Sequence, residues 1–198
     1  MPERLSSDMR ELLDSLNRWQ AQYLVIGAHA VGVYAEPRGT KDLDIWVNPT
    51  KENAKRVYGA LTEFGAPLFG ATTKSLTDKQ NFLVIGVAPN RIDILKSIPG
   101  LQFRACWKNR RTFDIGGITA NFLNLEDLLT AKLAAGRPQD LVDSAKLRKA
   151  WEIEHSRQQS PEMKGDAAEP APGGTLEPGK GPSRKRDRDE DKGPEFDH

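Results

Sequence analysis

Residues 23–47 open on Tyr23-Leu24-Val25-Ile26-Gly27-Ala28-His29-Ala30-Val31 and close, after Pro37-Arg38-Gly39-Thr40-Lys41, on Asp42-Leu43-Asp44-Ile45-Trp46-Val47. Four apolar residues, Tyr23 to Ile26, predict a short buried strand stopped by Gly27, and the small residues Ala28 to Ala35 predict a helix after it. Pro37 and Gly39 break the chain before a second strand, Asp42 to Val47. That strand alternates strictly. Asp42, Asp44 and Trp46 share one face, while Leu43, Ile45 and Val47 share the other. Two acids beside a tryptophan predict a cleft rather than an open solvent face.

Outward from this stretch the pattern is helical on both sides. Met9, Leu12, Leu13, Leu16 and Trp19 recur at helical spacing and predict a helix from Ser6 to Gln20, with Ser6 or Ser7 as cap. Asn48-Pro49-Thr50 turns into a helix over Lys51–Phe64, whose inner stripe is Ala54, Val57, Tyr58, Leu61 and Phe64. Phe82–Val87 and Arg91–Ile98 read as a hairpin, as do Arg111–Ile115 and Ile118–Phe122 around Gly116-Gly117. Two helices follow. The first starts at Leu125, capped by Asn124 with Asp127 at capping-box spacing, and ends at Gly136; Pro138 starts the second. The order αβαβαββ, then ββαα, predicts an α/β (α+β) domain, a mixed sheet flanked by helices, over residues 1–155.

Composition bounds the chemistry. The 198 residues carry 29 Lys and Arg against 28 Asp and Glu, which argues against a nucleic-acid coat or a polybasic membrane binder. The single cysteine, Cys106, excludes an intramolecular disulfide and a Cys-rich zinc site. Tyr23–Ala35 is the longest mostly apolar run and is too short to span a bilayer. Met1-Pro2-Glu3-Arg4 leads straight into the first amphipathic pattern, so no leader and a cytoplasmic location are expected. From Ser156 to His198 only Met163, Leu176 and Phe196 are large and apolar, and Gly and Pro fill 12 of 43 positions, which predicts a disordered polar tail over 156–198. The tail carries a net charge of −2, leaving +3 on the rest. A unit of 155 residues buries roughly 70% of its unfolded surface and needs no staples.

Four features could carry chemistry. Gly27 at a strand-to-helix turn permits close approach of a ligand, and the helix start offers free N–H groups to an anion; a plain tight turn is the alternative. Asp42 and Asp44 lie roughly 7 Å apart on one strand face, near enough to serve one metal centre, or are an ordinary solvated face. Asp93, between Ile92 and Ile94, needs a partner: a salt bridge to Arg91 or a metal shared with Asp42 and Asp44. Lys132 lies beside the inward stripe of Leu125, Leu128, Leu129 and Leu133. It either snorkels outward or is held by Asp140 and Asp143, which could equally hold Arg137.

Residues 23–47, with Gly27-Ala28, Asp42-x-Asp44 after Arg38-Gly39-Thr40, and a third acid on a later strand, resemble the polymerase-β-like nucleotidyltransferase superfamily, in particular its minimal bacterial members similar to AbiEii-type toxins. The resemblance also covers Leu125–Leu147 and spans most of residues 20–150, with none of the tail. It implies a nucleotidyltransferase-like fold and an enzyme moving NMP from an NTP to a hydroxyl acceptor: an RNA end such as tRNA, a protein, or a small molecule. By position, Asp42, Asp44 and Asp93 would be catalytic and bind Mg²⁺, with two ions expected. Gly27, Ala28, Arg38, Thr40 and Lys132 would contact the nucleotide. Ala28 stands where many members have Ser, leaving only its backbone N–H, and His29 has no required role. A toxin–antitoxin setting with an antitoxin partner is implied; a catalytically silent nucleotide-binding or interaction module is the alternative. No membrane partner is expected.

Overall fold

The computed structural model describes residues 5–159 apart from 81, 88 and 89. The tail expected from residue 156 lies outside the described residues from 160 onward, and the last helix runs to Gln159. The leucine stripe at 12, 13 and 16 forms the buried face of α1 (Ser7–Arg18), whose first turn is capped when the Ser6 hydroxyl accepts from the Met9 N–H. The strand β1 (Tyr23–Ile26) is buried along its whole length, and α2 (Gly27–Tyr34) follows it without an intervening loop. The alternating stretch forms β2 (Asp42–Val47), and Thr50 caps α3 (Lys51–Glu63).

The first hairpin is β3 (Leu83–Ile85) with β4 (Arg91–Leu95). The second is β5 (Arg111–Asp114) with β6 (Thr119–Phe122). Between them lies a short helix, α4 (Phe103–Lys108), which the sequence pattern does not signal. The closing pair is α5 (Leu125–Ala135) and α6 (Pro138–Gln159). Asn124 caps α5 by accepting from the Asp127 N–H while donating to the Asp127 carboxylate; Gly136, with φ of +64°, ends the helix in the left-handed region that glycine tolerates.

The six strands form one mixed sheet in the order β3-β4-β2-β1-β6-β5. β1 is antiparallel to β2 and parallel to β6, and β2 runs parallel to β4. The core gathers the inner faces of α1 and α3 with Leu24, Leu43, Ile45, Ile92 and Ile94. Among the described residues no helix is long and apolar enough to cross a membrane.

This order puts β2 and β4 side by side, with β1 next to them. Asp44 is in register with Asp93 on β4 and with Ile26, the last residue of β1, on the other side. The acids and the glycine turn therefore meet at one level of the sheet.

Candidate active site

Asp42, Asp44 and Asp93 line one cavity of about 610 Å³ together with Gly27, Ala28, Arg38, Thr40 and Lys132. All eight residues expected to form the site thus border the same space. The volume is that of an ordinary small-ligand pocket.

The glycine turn is built against the acids. Gly27 has φ of +67°, and a Cβ there would run into the Asp44 carboxylate, so the backbone passes directly over the second acid. Ile26 occupies the cap position of α2 with no side-chain hydrogen bond to the helix start, and the first two helical residues, Gly27 and Ala28, line the cavity. Gly27→Ala is expected to displace the Asp44 carboxylate and to lower stability by about 1–3 kcal/mol, because the turn holds φ of +67° with no room for a Cβ. Denaturant unfolding will check it; unchanged stability would show that the close approach is dispensable.

The electrostatics of the acid row are uneven. Arg91 donates to both oxygens of Asp93, from Nε at 2.8 Å and from a terminal nitrogen at 2.7 Å. Asp93 is therefore ion-paired with Arg91, one of its two expected partners, and the guanidinium pKa is raised by the pairing. Among the described residues Asp44 has no such partner. Burial, then the charge of Asp93, pushes its carboxyl up to about 6; Asp42 adds to the rise, and Lys132 and Arg137 only partly offset it. Among the described residues no three His, Cys, Asp or Glu side chains form a gathered ligand set. Thr40 bonds through its hydroxyl to the backbone N–H and carbonyl of Asp42, shaping the entry of β2.

The opposite wall is cationic. Lys132 is buried on α5, with Nζ 2.8 Å from Asp140 and 2.9 Å from Asp143. Arg38 reaches the other oxygen of Asp143 at 3.1 Å. Burial works against the Asp143 charge, but hydrogen bonds from Lys132 and Arg38 outweigh it and hold the carboxyl below its usual range. Lys132 thus does not snorkel to solvent. Leu133, expected on the inward stripe, is 47% exposed, and Lys132 takes its place beside Leu125 and Leu128.

Three solved structures are similar in part. They are a Thermotoga maritima protein assigned as a nucleotidyltransferase (17% identical, covering 74% of this chain and 91% of that one, TM-score 0.47), the lincosamide antibiotic adenylyltransferase LnuA bound to lincomycin (14%, 75% and 99%, 0.48) and an antigenic nucleotidyltransferase-like protein from Paracoccidioides brasiliensis (14%, 79% and 91%, 0.41). No protein-family model and no curated protein matches the sequence.

The cleft expected beside Asp42 and Asp44 is present, and Trp46 does not line it: it shares their strand face but is 1% exposed and packs edge-to-face on Phe103, with ring centroids 5.1 Å apart. The helix α4 covers that end of the face, making the tryptophan part of the core. His29, which has no required role, is buried in α2. The cavity also has wall residues not anticipated as ligand contacts. Arg137 follows the Gly136 cap at the α5–α6 corner, and Phe82 lies at the entry to β3. The Gly-Arg-Pro spelling was a signal for a corner cation; Phe82 carried none, because its place depends on β3 pairing with β4.

Proposed function

We propose that this chain is an Mg²⁺-dependent nucleotidyltransferase that moves NMP from an NTP to a hydroxyl acceptor, with residues 1–155 as the transferase domain. The observation that carries the reading is Asp44: a half-buried carboxyl with no ion-pair partner among the described residues, level with Asp93, under the Gly27 turn. A carboxylate in that position is stabilised by a cation, and hard carboxylate oxygens suit Mg²⁺. Asp42, Asp44 and Asp93 would hold the ion or ions, with Arg91 leaving Asp93 to free its oxygens. Bound Mg²⁺ supplies charge that polarises the α-phosphate and offsets negative charge on the departing pyrophosphate.

The protein's own groups then place the reactants. The backbone N–H groups at Gly27 and Ala28 bind phosphate oxygens at the start of α2. Arg38 and Lys132 contact the nucleotide phosphates from the facing wall, each fixed by Asp143, and Thr40 sets the backbone of Asp42. The acceptor oxygen bonds to the α-phosphorus as the bond from that phosphorus to the bridging oxygen breaks. Pyrophosphate leaves with the electron pair, and the hydroxyl proton passes to Asp93. Oriented charges in a partly dry site account for the acceleration. The reaction belongs in the cytoplasm, where NTPs are abundant, and the chain serves as a toxin with an antitoxin partner.

A catalytically silent nucleotide-binding or interaction module is favoured by one observation, the two-pronged Arg91–Asp93 pair. Transfer of α-phosphate label from NTPs into a lysate separates the two readings. The wild type with Mg²⁺ is expected to transfer label and Asp42→Ala/Asp44→Ala to transfer none; equal transfer by both would overturn the enzyme reading.

A further inference from the structure

The acids lie between two unlike regions. On the β1 side are the Gly27 turn and the cations of the α5–α6 wall, Arg38, Lys132 and Arg137. On the β3 side, beyond Asp93, the cavity is lined by Phe82, Leu95, Ile98 and Pro99. Leu95 follows Asp93 on the same face of β4, roughly 7 Å along the strand. The register Leu83↔Ile94 puts Phe82 beside Leu95 on the neighbouring strand. Phe82 is 65% exposed and lines the cavity. These four residues form a shelf without charge.

We infer that this shelf is the acceptor site and takes a small hydroxyl compound with an apolar or planar face, rather than an RNA end or a protein. The inference rests on the nucleotidyltransferase reading and goes beyond it in naming the acceptor class. In phosphoryl-type transfer the attacking and leaving oxygens stand roughly in line through phosphorus. With the phosphate-binding groups on the β1 side, pyrophosphate departs toward α2 and α5. The attacking hydroxyl therefore arrives from the β3 side, past Asp93, which receives its proton. What lies there selects the acceptor. A nucleic-acid end needs a row of cations along its backbone; the four shelf residues carry none, and Arg91 at the start of β4 is a single cation beside them. An aromatic ring with aliphatic neighbours instead stacks on an apolar or ring-shaped compound.

The test uses the full chain with Mg²⁺, NTPs labelled at the α-phosphate, and a cell lysate resolved afterwards into small solutes, RNA and protein. Label is expected in a phosphatase-resistant small solute. Phe82 is exposed, so Phe82→Ala should fold normally; it is expected to lower that product about tenfold at limiting acceptor, with the calorimetric Kd for Mg–ATP moving less than about twofold. Label in RNA or protein overturns the inference, as does undiminished product from Phe82→Ala. Absence of Mg–ATP binding, or of transfer to any fraction, instead overturns the nucleotidyltransferase reading beneath it.

Discussion

Asp44→Asn is expected to abolish transfer, by about 10³-fold or more, while making the metal-free protein more stable. The two effects share one cause. In the folded chain burial and the Asp93 charge raise the Asp44 carboxyl from 3.8 to about 6, so the folded state holds this proton more tightly than the unfolded state. The cost of ionising Asp44 is absent below the unfolded value, grows as pH rises between the two values, and is fully present above about 6. Asparagine keeps the shape and carries no charge. In chelator at neutral pH and above, the variant should therefore exceed the wild type by about 1–3 kcal/mol in denaturant unfolding. The gap should close toward pH 4. Saturating Mg²⁺ should narrow it too, by stabilising only the wild type. Equal stabilities in chelator at pH 8 would show that Asp44 is not an unrelieved buried charge.

Asp143→Ala should have the largest destabilising effect. Its carboxylate is fully buried and holds both Lys132 and Arg38, so one truncation removes a partner from each cation and leaves Lys132 buried with Asp140 alone. Breaking a buried pair in this way costs about 3 kcal/mol or more, or roughly 6–12 °C in Tm for a domain of this size. The pH dependence has the opposite sign to that of Asp44. Because the Asp143 carboxyl is held below its usual range, its contribution is present above the unfolded value and is lost as pH falls through the depressed folded value. The difference between wild type and variant should shrink in acid. A Tm change under about 2 °C at pH 7 would mean that Arg38 and Lys132 find other partners and that Asp143 does not organise the cationic wall.

The residues that announced the site did so through local physics. Period-two alternation places Asp42 and Asp44 on one face whatever the strand pairs with, and a strand running through glycine into a helix is visible in Ile26-Gly27-Ala28. Both hairpins and the Asn124 and Gly136 helix ends were legible for the same reason, because turns and caps are written in neighbouring residues. The strand order was not. Placing β4 parallel to β2, so that Asp93 lands level with Asp44, depends on pairing between segments almost fifty residues apart. The burial of Trp46 was not legible because α4, six residues long with no side-chain cap at Gln102, leaves little trace in sequence yet covers the end of the acid face. The exchange of Lys132 for Leu133 on the buried side of α5 has a similar origin. The carboxylates of Asp140 and Asp143 make an inward lysine favourable, and they come from α6.

Arg91 joins these threads. Its guanidinium supplies positive charge to Asp93 and lies near enough to Asp42 and Asp44 to feel both. In the proposed reaction that charge gives way to a divalent ion. The most direct measurement is a crystal structure of the chain with Mn²⁺ and a non-hydrolysable NTP analogue. The account predicts an anomalous peak held by Asp42, Asp44 and Asp93, Arg91 withdrawn from Asp93, and phosphates at the Gly27–Ala28 backbone. Nucleotide bound elsewhere, or Arg91 still paired to Asp93 with no metal among the three carboxylates, would contradict it.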